Sequence, residues 1–352
     1  MNLDNKISKR IVQQNMSIIQ TLKMMDANKF KLMLVFNETV FVGMISIGDI
    51  QRAIINNIDL KEKIISILDY NKIYAKTSDS IVFIKEKMLE IRAECMPILN
   101  EKGEIVDLIL WEEMFGDVSK VKGIKLNLPV VIMAGGKGTR LKPLTNVIPK
   151  PLLPIGEKTI IELIMDQFEE IGCGKFFLSV NYKSEMLKYY MQNLEHPYDI
   201  TYFQEDKPLG TIGSVSLLKN KIRTPFFVSN CDIIIDQDYS EVYDYHMENK
   251  NDLTIIAAIK NQSIPYGIME SGEKGELIRL EEKPELNYMI NTGVYLLNPD
   301  LIDEIPENTL FHITQLINKV KSKGGKIGCF PVSEKAWTDI GDWDEYLKWI
   351  KK

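Results

Sequence analysis

The chain is 352 residues long, 45% apolar and 26% charged, with a formal net charge of −6. It can bury more core than one ordinary domain holds, so at least two units are expected. No apolar run approaches the roughly 18 residues of a membrane-spanning helix, and the polar start MNLDNKISKR lacks a secretory segment, so a cytoplasmic location with no membrane partner is expected. Cys95, Cys173, Cys231 and Cys329 form no CxxC or Cys/His cluster, which predicts free thiols rather than disulfides or a zinc site.

Residues 11–115 contain an internal repeat offset by about 63 positions. Asn37-Glu38 recurs as Asn100-Glu101, Met25 as Met88, and Val42-Gly43-Met44-Ile45 as Val106-Asp107-Leu108-Ile109. Each copy reads as a helix (Ser17 to Asn28; Ser80 to Arg92), a strand (Leu32 to Phe36; Met96 to Leu99), a turn, a second strand and a second helix. This order resembles a cystathionine-β-synthase (CBS) domain pair, with copies at 1–60 and 61–118. In such a pair Ser46 and Asp49 of Ser46-Ile47-Gly48-Asp49 resemble the residues that contact an adenine or guanine nucleotide. An S-x-x-D string is equally a helix cap, and both readings can hold together. The second copy has Leu110-Trp111-Glu112-Glu113 there, so one nucleotide site per chain is implied, alongside a homodimer or higher homo-oligomer. Gly116 to Asn127, rich in glycine and lysine, reads as connecting chain, with the linker proper at 119–127 and a second domain at 128–352.

That domain opens with an apolar run, Val130 to Ala134, of a length that suits a buried strand. Gly135, Gly136 and Gly138 follow, letting backbone N–H groups turn toward an anion, and Lys137, Arg140, Lys142 and Lys150 crowd cations around them. The string GGKGTRLKPLT followed by PKPLLPIG resembles the signature of sugar-1-phosphate nucleotidyltransferases. The resemblance implies an α/β fold, a Rossmann-like, mostly parallel sheet flanked by helices. It also implies nucleotide contacts from Ala134, Gly135, Gly136, Gly138 and Thr139.

Farther along, Thr159 to Ile171 has helical apolar spacing and ends at Gly172. Lys175 to Val180, Glu185 to Asn193 and Ile200 to Gln204 continue the strand-helix alternation, which puts ligands at the carboxyl ends of the strands. Gln204 to Leu218 contains Pro208-Leu209-Gly210-Thr211 and Gly213. In the resembled family such a loop leads into a helix beside the base, implying roles for Gln204, Gly210 and Thr211. Its wording resembles mannose-1-phosphate guanylyltransferases and their relatives more than the thymidylyl branch, so GTP is the implied donor.

The strand Pro225 to Asn230 ends at Cys231-Asp232, where the family has Gly-Asp, and Trp337-Thr338-Asp339-Ile340-Gly341 resembles its W-x-D-x-G. By that resemblance Asp232 and Asp339 bind Mg²⁺, an ion that takes hard oxygen ligands. Asp342-Trp343 departs from the usual Thr-Pro that follows. Three runs match segments lining the sugar-phosphate pocket and implicate Gly267, Glu282, Lys283, Asn291 and Thr292.

The first 122 residues carry 17 basic and 17 acidic side chains, leaving 26 and 32 beyond. A domain this acidic is not built for nucleic acid, and it must neutralise phosphates locally, with Lys/Arg and a divalent ion. His196, His246 and His312 lie outside the motifs, and no nucleophile–base pair is evident, so direct in-line attack by the sugar phosphate is expected. Arg140, Lys150 and Lys283 are the catalytic candidates. Two other readings stay open: the same chemistry with UTP, dTTP or CTP, and a non-catalytic nucleotide-sensing subunit. A dinucleotide oxidoreductase does not fit, because the loop lacks GxGxxG.

Overall fold

The structure, a computed structural model, describes residues 3–91, 93–115 and 125–350. The chain forms two compact units, Met1–Gly123 and Ile124–Lys352. Arg92 and positions 116–124, which include most of the expected linker, lie outside the described residues.

The first unit builds one three-stranded motif twice. Ile11–Gln13 runs parallel to Leu32–Asn37, which pairs antiparallel with Val40–Ser46. Ala75–Lys76, Cys95–Leu99 and Ile105–Leu110 repeat that arrangement. Both sheets slip register at the corresponding place, between Val35 and Phe36 in one and between Ile98 and Leu99 in the other. The repeat in sequence is therefore a repeat in backbone irregularity as well. The expected division at residue 60 falls too early. Ile18 N–H donates to Glu62 O at 2.8 Å and Ile64 N–H to Met16 O at 2.9 Å, while Leu68 packs on Gly43. The segment after Asn57 satisfies its backbone groups on its own copy, and so belongs to it. Glu94 then ties the copies together, accepting from Arg10 at 2.6 Å and from Lys31 N–H at 2.7 Å.

In the second unit seven strands make one sheet: β1 (Pro129–Met133), β2 (Lys175–Val180), β3 (Asp199–Gln204), β4 (Phe226–Asn230), β5 (Leu253–Ser263), β6 (Glu285–Leu297) and β7 (Ile327–Ser333). Their spatial order is β3-β2-β1-β4-β6-β5-β7. All pairings are parallel except those of β6, which is antiparallel to β4 and β5. The sheet is thus mostly parallel, as expected.

Alternate residues of β1 enter different cores. Val130 and Ile132 pack with Phe168, Phe176 and Leu178, whereas Val131 packs with Phe177, Phe226 and Val228 on the opposite face. Burial on both faces is why the strand reads as a continuous apolar run. Helix α1 (Ile160–Glu170) covers the first face, and its capping box is complete, with Thr159 N–H donating to Glu162 at 2.8 Å and the Thr159 hydroxyl accepting in return. It stops at Gly172, whose φ is +82° and where a Cβ would stand 2.8 Å from Lys125 Cα. Leu126 N–H donates to Ile171 O at 2.9 Å, so residues 125–127, read as the end of the linker, already pack on this unit. Helix α2 (Ile313–Ser322) covers the other face through Ile313, Leu316 and Val320.

Candidate active site

The carboxyl ends of β1 and β4 open onto one cleft. After β4 the chain passes buried Cys231 to Asp232, and then Ile233–Ile235 pairs antiparallel with Trp337–Asp339, with Ile233 opposite Asp339. Ile340 N–H donates to Asp232 O at 2.8 Å. Two aspartates from distant parts of the chain thereby become neighbours, Asp339 at the end of one strand and Asp232 in the turn just before the other. Burial raises the Asp339 pKa above its ordinary value, and the Asp232 charge adds to that rise, while Lys150 and Arg140 oppose it.

The cations come from the loop after β1. Gly138 has φ +61°, and a Cβ there would lie 2.8 Å from Thr145 and 3.1 Å from Lys150, so only glycine lets the loop fold onto these residues. Lys150, on the short 3₁₀ turn Lys150–Leu152, is 7% exposed and ion-pairs through Nζ with Asp232. Arg140 is 59% exposed and spans both acids, 3.8 Å from Asp232 and 3.7 Å from Asp339. Ala134 N–H donates to Ser179 O, and Gly136 faces open space. Thr139 begins the 3₁₀ turn that carries Arg140.

Across the cleft lie Asn230, Asn291, Thr292, Gly293, Tyr295 and Trp337. The Asn291 side chain accepts from Gly293 N–H at 3.0 Å. Thr292 is buried and its hydroxyl donates to Ile256 O, so it meets the cleft through its backbone, whose carbonyl accepts from Trp337 Nε1 at 3.3 Å.

The base-side residues have mixed fates. Gly210 (φ +83°) lies against Phe311 O, and the Thr211 hydroxyl accepts from Ile313 N–H at 2.9 Å, so both hold the start of α2. The segment expected to open a helix forms a six-residue 3₁₀ turn, Gly213–Leu218, at whose start the Ile212 and Gly213 N–H groups both donate to Phe311 O. Gln204 is exposed. Its neighbour Glu205, which the sequence did not single out, is the buried organiser: its carboxylate accepts from the Ser179 hydroxyl at 2.7 Å and Leu209 N–H at 2.9 Å, and its carbonyl accepts from Asn181 at 2.7 Å. Its one sequence signal was an acid immediately after a β-strand and four positions before the loop it holds.

Gly267, Glu282 and Lys283 do not line this cleft. Glu282 lies against Gly267, and Lys283 is an exposed turn residue with φ +45°. In the first unit Ser46 and Asp49 form a capping box, with Ser46 N–H donating to Asp49 at 2.6 Å. The buried Asp49 carboxylate also pairs with Arg52 and Lys72.

Asp232 and Asp339 offer hard oxygens from neighbouring positions, which fits an ion that takes one or two protein carboxylates and completes its shell from phosphate and water. Among the described residues no group of three or more His, Cys, Asp or Glu side chains is placed to hold a metal unaided. The donor set therefore fits Mg²⁺ arriving with a phosphate ligand.

A family model described as nucleotidyl transferase matches residues 129–352. The chain is 30% identical over 233 residues to mannose-1-phosphate guanylyltransferase 1 of Arabidopsis thaliana, covering 64% of each chain. It is 36% identical over 183 residues to a mannose-1-phosphate guanyltransferase of Yarrowia lipolytica, covering 50% of each. It thus spans between 50% and 64% of these relatives' length. A solved Bacillus anthracis structure, described as a glucose-1-phosphate thymidylyltransferase in complex with sucrose, superposes with a TM-score of 0.50 at 20% identity, over 64% of this chain and 94% of that one, a likeness of fold. With its second unit matched from the first strand of the sheet to the end of the chain, the protein belongs to the nucleotidyl transferase family.

Proposed function

We propose that the second unit transfers GMP from GTP to a sugar 1-phosphate, forming a nucleotide sugar and pyrophosphate. The observation that carries this reading is the meeting of Asp232, Asp339, Arg140 and Lys150 at the carboxyl end of the sheet. The names of the relatives support guanine as the base. Glucosamine 1-phosphate is the first-choice acceptor, on the resemblance of the fused architecture, with mannose 1-phosphate next on the names of the relatives. The product would serve surface-glycan or sialic-acid-like sugar synthesis.

In the proposed reaction an oxygen of the sugar phosphate forms a bond to the α-phosphorus as the bond to pyrophosphate breaks. Such a displacement needs alignment and charge neutralisation more than proton transfer. Arg140 and the loop at Gly135, Gly136 and Gly138 would hold the β- and γ-phosphates and Lys150 would face the α-phosphate, while Lys283, which stands outside the cleft, would have to move in to meet the sugar phosphate. Mg²⁺ held by Asp232 and Asp339 would supply Lewis-acid neutralisation of the phosphate oxygens.

Pyrophosphate release, assayed with Mg²⁺, each nucleoside triphosphate in turn and a panel of hexose 1-phosphates, tests this. GTP should lead by tenfold or more, about 1.4 kcal/mol of discrimination. A tenfold lead for UTP, dTTP or CTP would change the base assigned, and silence with every pair would leave the non-catalytic reading.

For the first unit we propose a CBS-like pair whose role is assembly of a homo-oligomer. Asp49 is already engaged by Ser46, Arg52 and Lys72, so ribose hydroxyls would have to displace Lys72 to reach it. Calorimetric titration of the full chain with AMP is expected to show no saturable binding. Binding that weakens tenfold in Asp49→Ala would instead make the unit a nucleotide sensor.

A further inference from the structure

Ile268–Ser271 and Leu277–Glu281 form a two-stranded ribbon separate from the seven-stranded sheet. Its pleat sorts the side chains by face. Met269 pairs with Leu280, while Glu270 pairs with Arg279 and Ile268 with Glu281. One face therefore carries Met269 and Leu280, and the other carries Ile268 with Glu270, Arg279 and Glu281, the last two joined at 2.5 Å. Beyond Glu270 the register slips and Leu277 comes opposite Ser271, on the Met269 face, with Ile278 as the extra residue.

This apolar face is bare. Met269 is 75% exposed, Ile278 62%, Leu280 60% and Leu277 59%, and Tyr266, just ahead of the ribbon, is 74% exposed. A two-stranded ribbon alone in water is marginal and needs a packed face to persist. The four ribbon side chains Met269, Leu277, Ile278 and Leu280, exposed to this degree, offer on the order of 500 Å², in the upper part of the range for the largest patch on a monomer. That is more than half of the roughly 800 Å² each partner contributes to a standard interface.

We propose that this face is covered by the same face of a second copy of the chain, related by a twofold axis. Within the two strands the face carries no charged side chain, so it gives a foreign partner no electrostatic address. Two such ribbons stacked face to face bury each other's Met269 and Leu280 and leave each polar face to solvent, the isologous arrangement of a homodimer. The interface is independent of any assembly through the first unit.

Sedimentation equilibrium on the full chain tests the proposal. The Met269→Glu/Leu280→Glu variant should show half the wild-type mass at equal concentration, whether the wild type is a dimer through the ribbon alone or a tetramer using the first unit as well. Glu270→Arg, on the opposite face, should keep the wild-type mass. If far-ultraviolet circular dichroism shows that the double variant does not fold, Met269→Ser/Leu280→Ser carries the same expectation. A folded variant of wild-type mass overturns the proposal and leaves the face to another occupant.

Discussion

Asp232→Asn and Asp339→Asn are each expected to lower kcat by about 10²–10³-fold, roughly 3–4 kcal/mol of transition-state stabilisation. With two protein carboxylates among the described residues lining the cleft, each substitution removes half of their anionic charge, and an amide oxygen replaces it poorly. Their effects on stability should differ from their effects on turnover. Burial and the neighbouring Asp232 hold the Asp339 pKa above its ordinary value, so the ionised form is the one the fold disfavours. At pH 7, above the usual carboxylate range, Asp339→Asn removes that penalty, and Tm without ligands should hold or rise. The gain should fade as pH falls and the wild-type Asp339 takes up its own proton. Turnover near the wild-type rate at limiting Mg²⁺ would remove the substituted residue from the site.

How much of this was legible in the sequence depended on whether a residue's task was local. The run Val130 to Ala134 announced a buried strand, and Thr159 and Gly172 marked the two ends of α1, because caps and apolar runs act over a few residues. Asp232 and Asp339 were found only through their motifs. Nothing in spacing says that Ile233 pairs with Asp339, since that contact depends on register between distant strands. Glu205 was missed for the same reason: its carboxylate's partners Ser179 and Leu209 come from a neighbouring strand and a following loop, and an acid at a strand end looks like a solvated one. The ribbon's apolar face was hidden by a different effect. A bulge at Glu270/Ser271 breaks the two-residue alternation that would have displayed Met269, Leu277, Ile278 and Leu280 as one surface.

Lys150→Met should damage both stability and turnover, and a second substitution should separate the two. Lys150 is 7% exposed and its partner Asp232 14%, so their ion pair is largely out of water. Methionine keeps the stem's bulk but leaves Asp232 facing only Arg140, 3.8 Å away and 59% exposed. Stranding a buried carboxylate in this way costs about 3 kcal/mol, read as a lower urea midpoint with an unchanged m-value. Adding Asp232→Asn removes the stranded charge, so the double variant should recover most of that loss, a coupling of about 2 kcal/mol between the sites. Turnover should not recover. If Lys150 neutralises charge that builds near the α-phosphate, the single variant should lose about 10²–10³-fold in kcat, and the double variant at least as much. Mg²⁺ should raise the Tm of Lys150→Met more than that of the wild type, because the ion meets a carboxylate no longer occupied by an ammonium. Equal stability of Lys150→Met and the wild type would show that the pair contributes nothing to the fold. Full turnover in Lys150→Met would take the lysine out of the proposed chemistry and leave charge neutralisation to Arg140 and the metal ion.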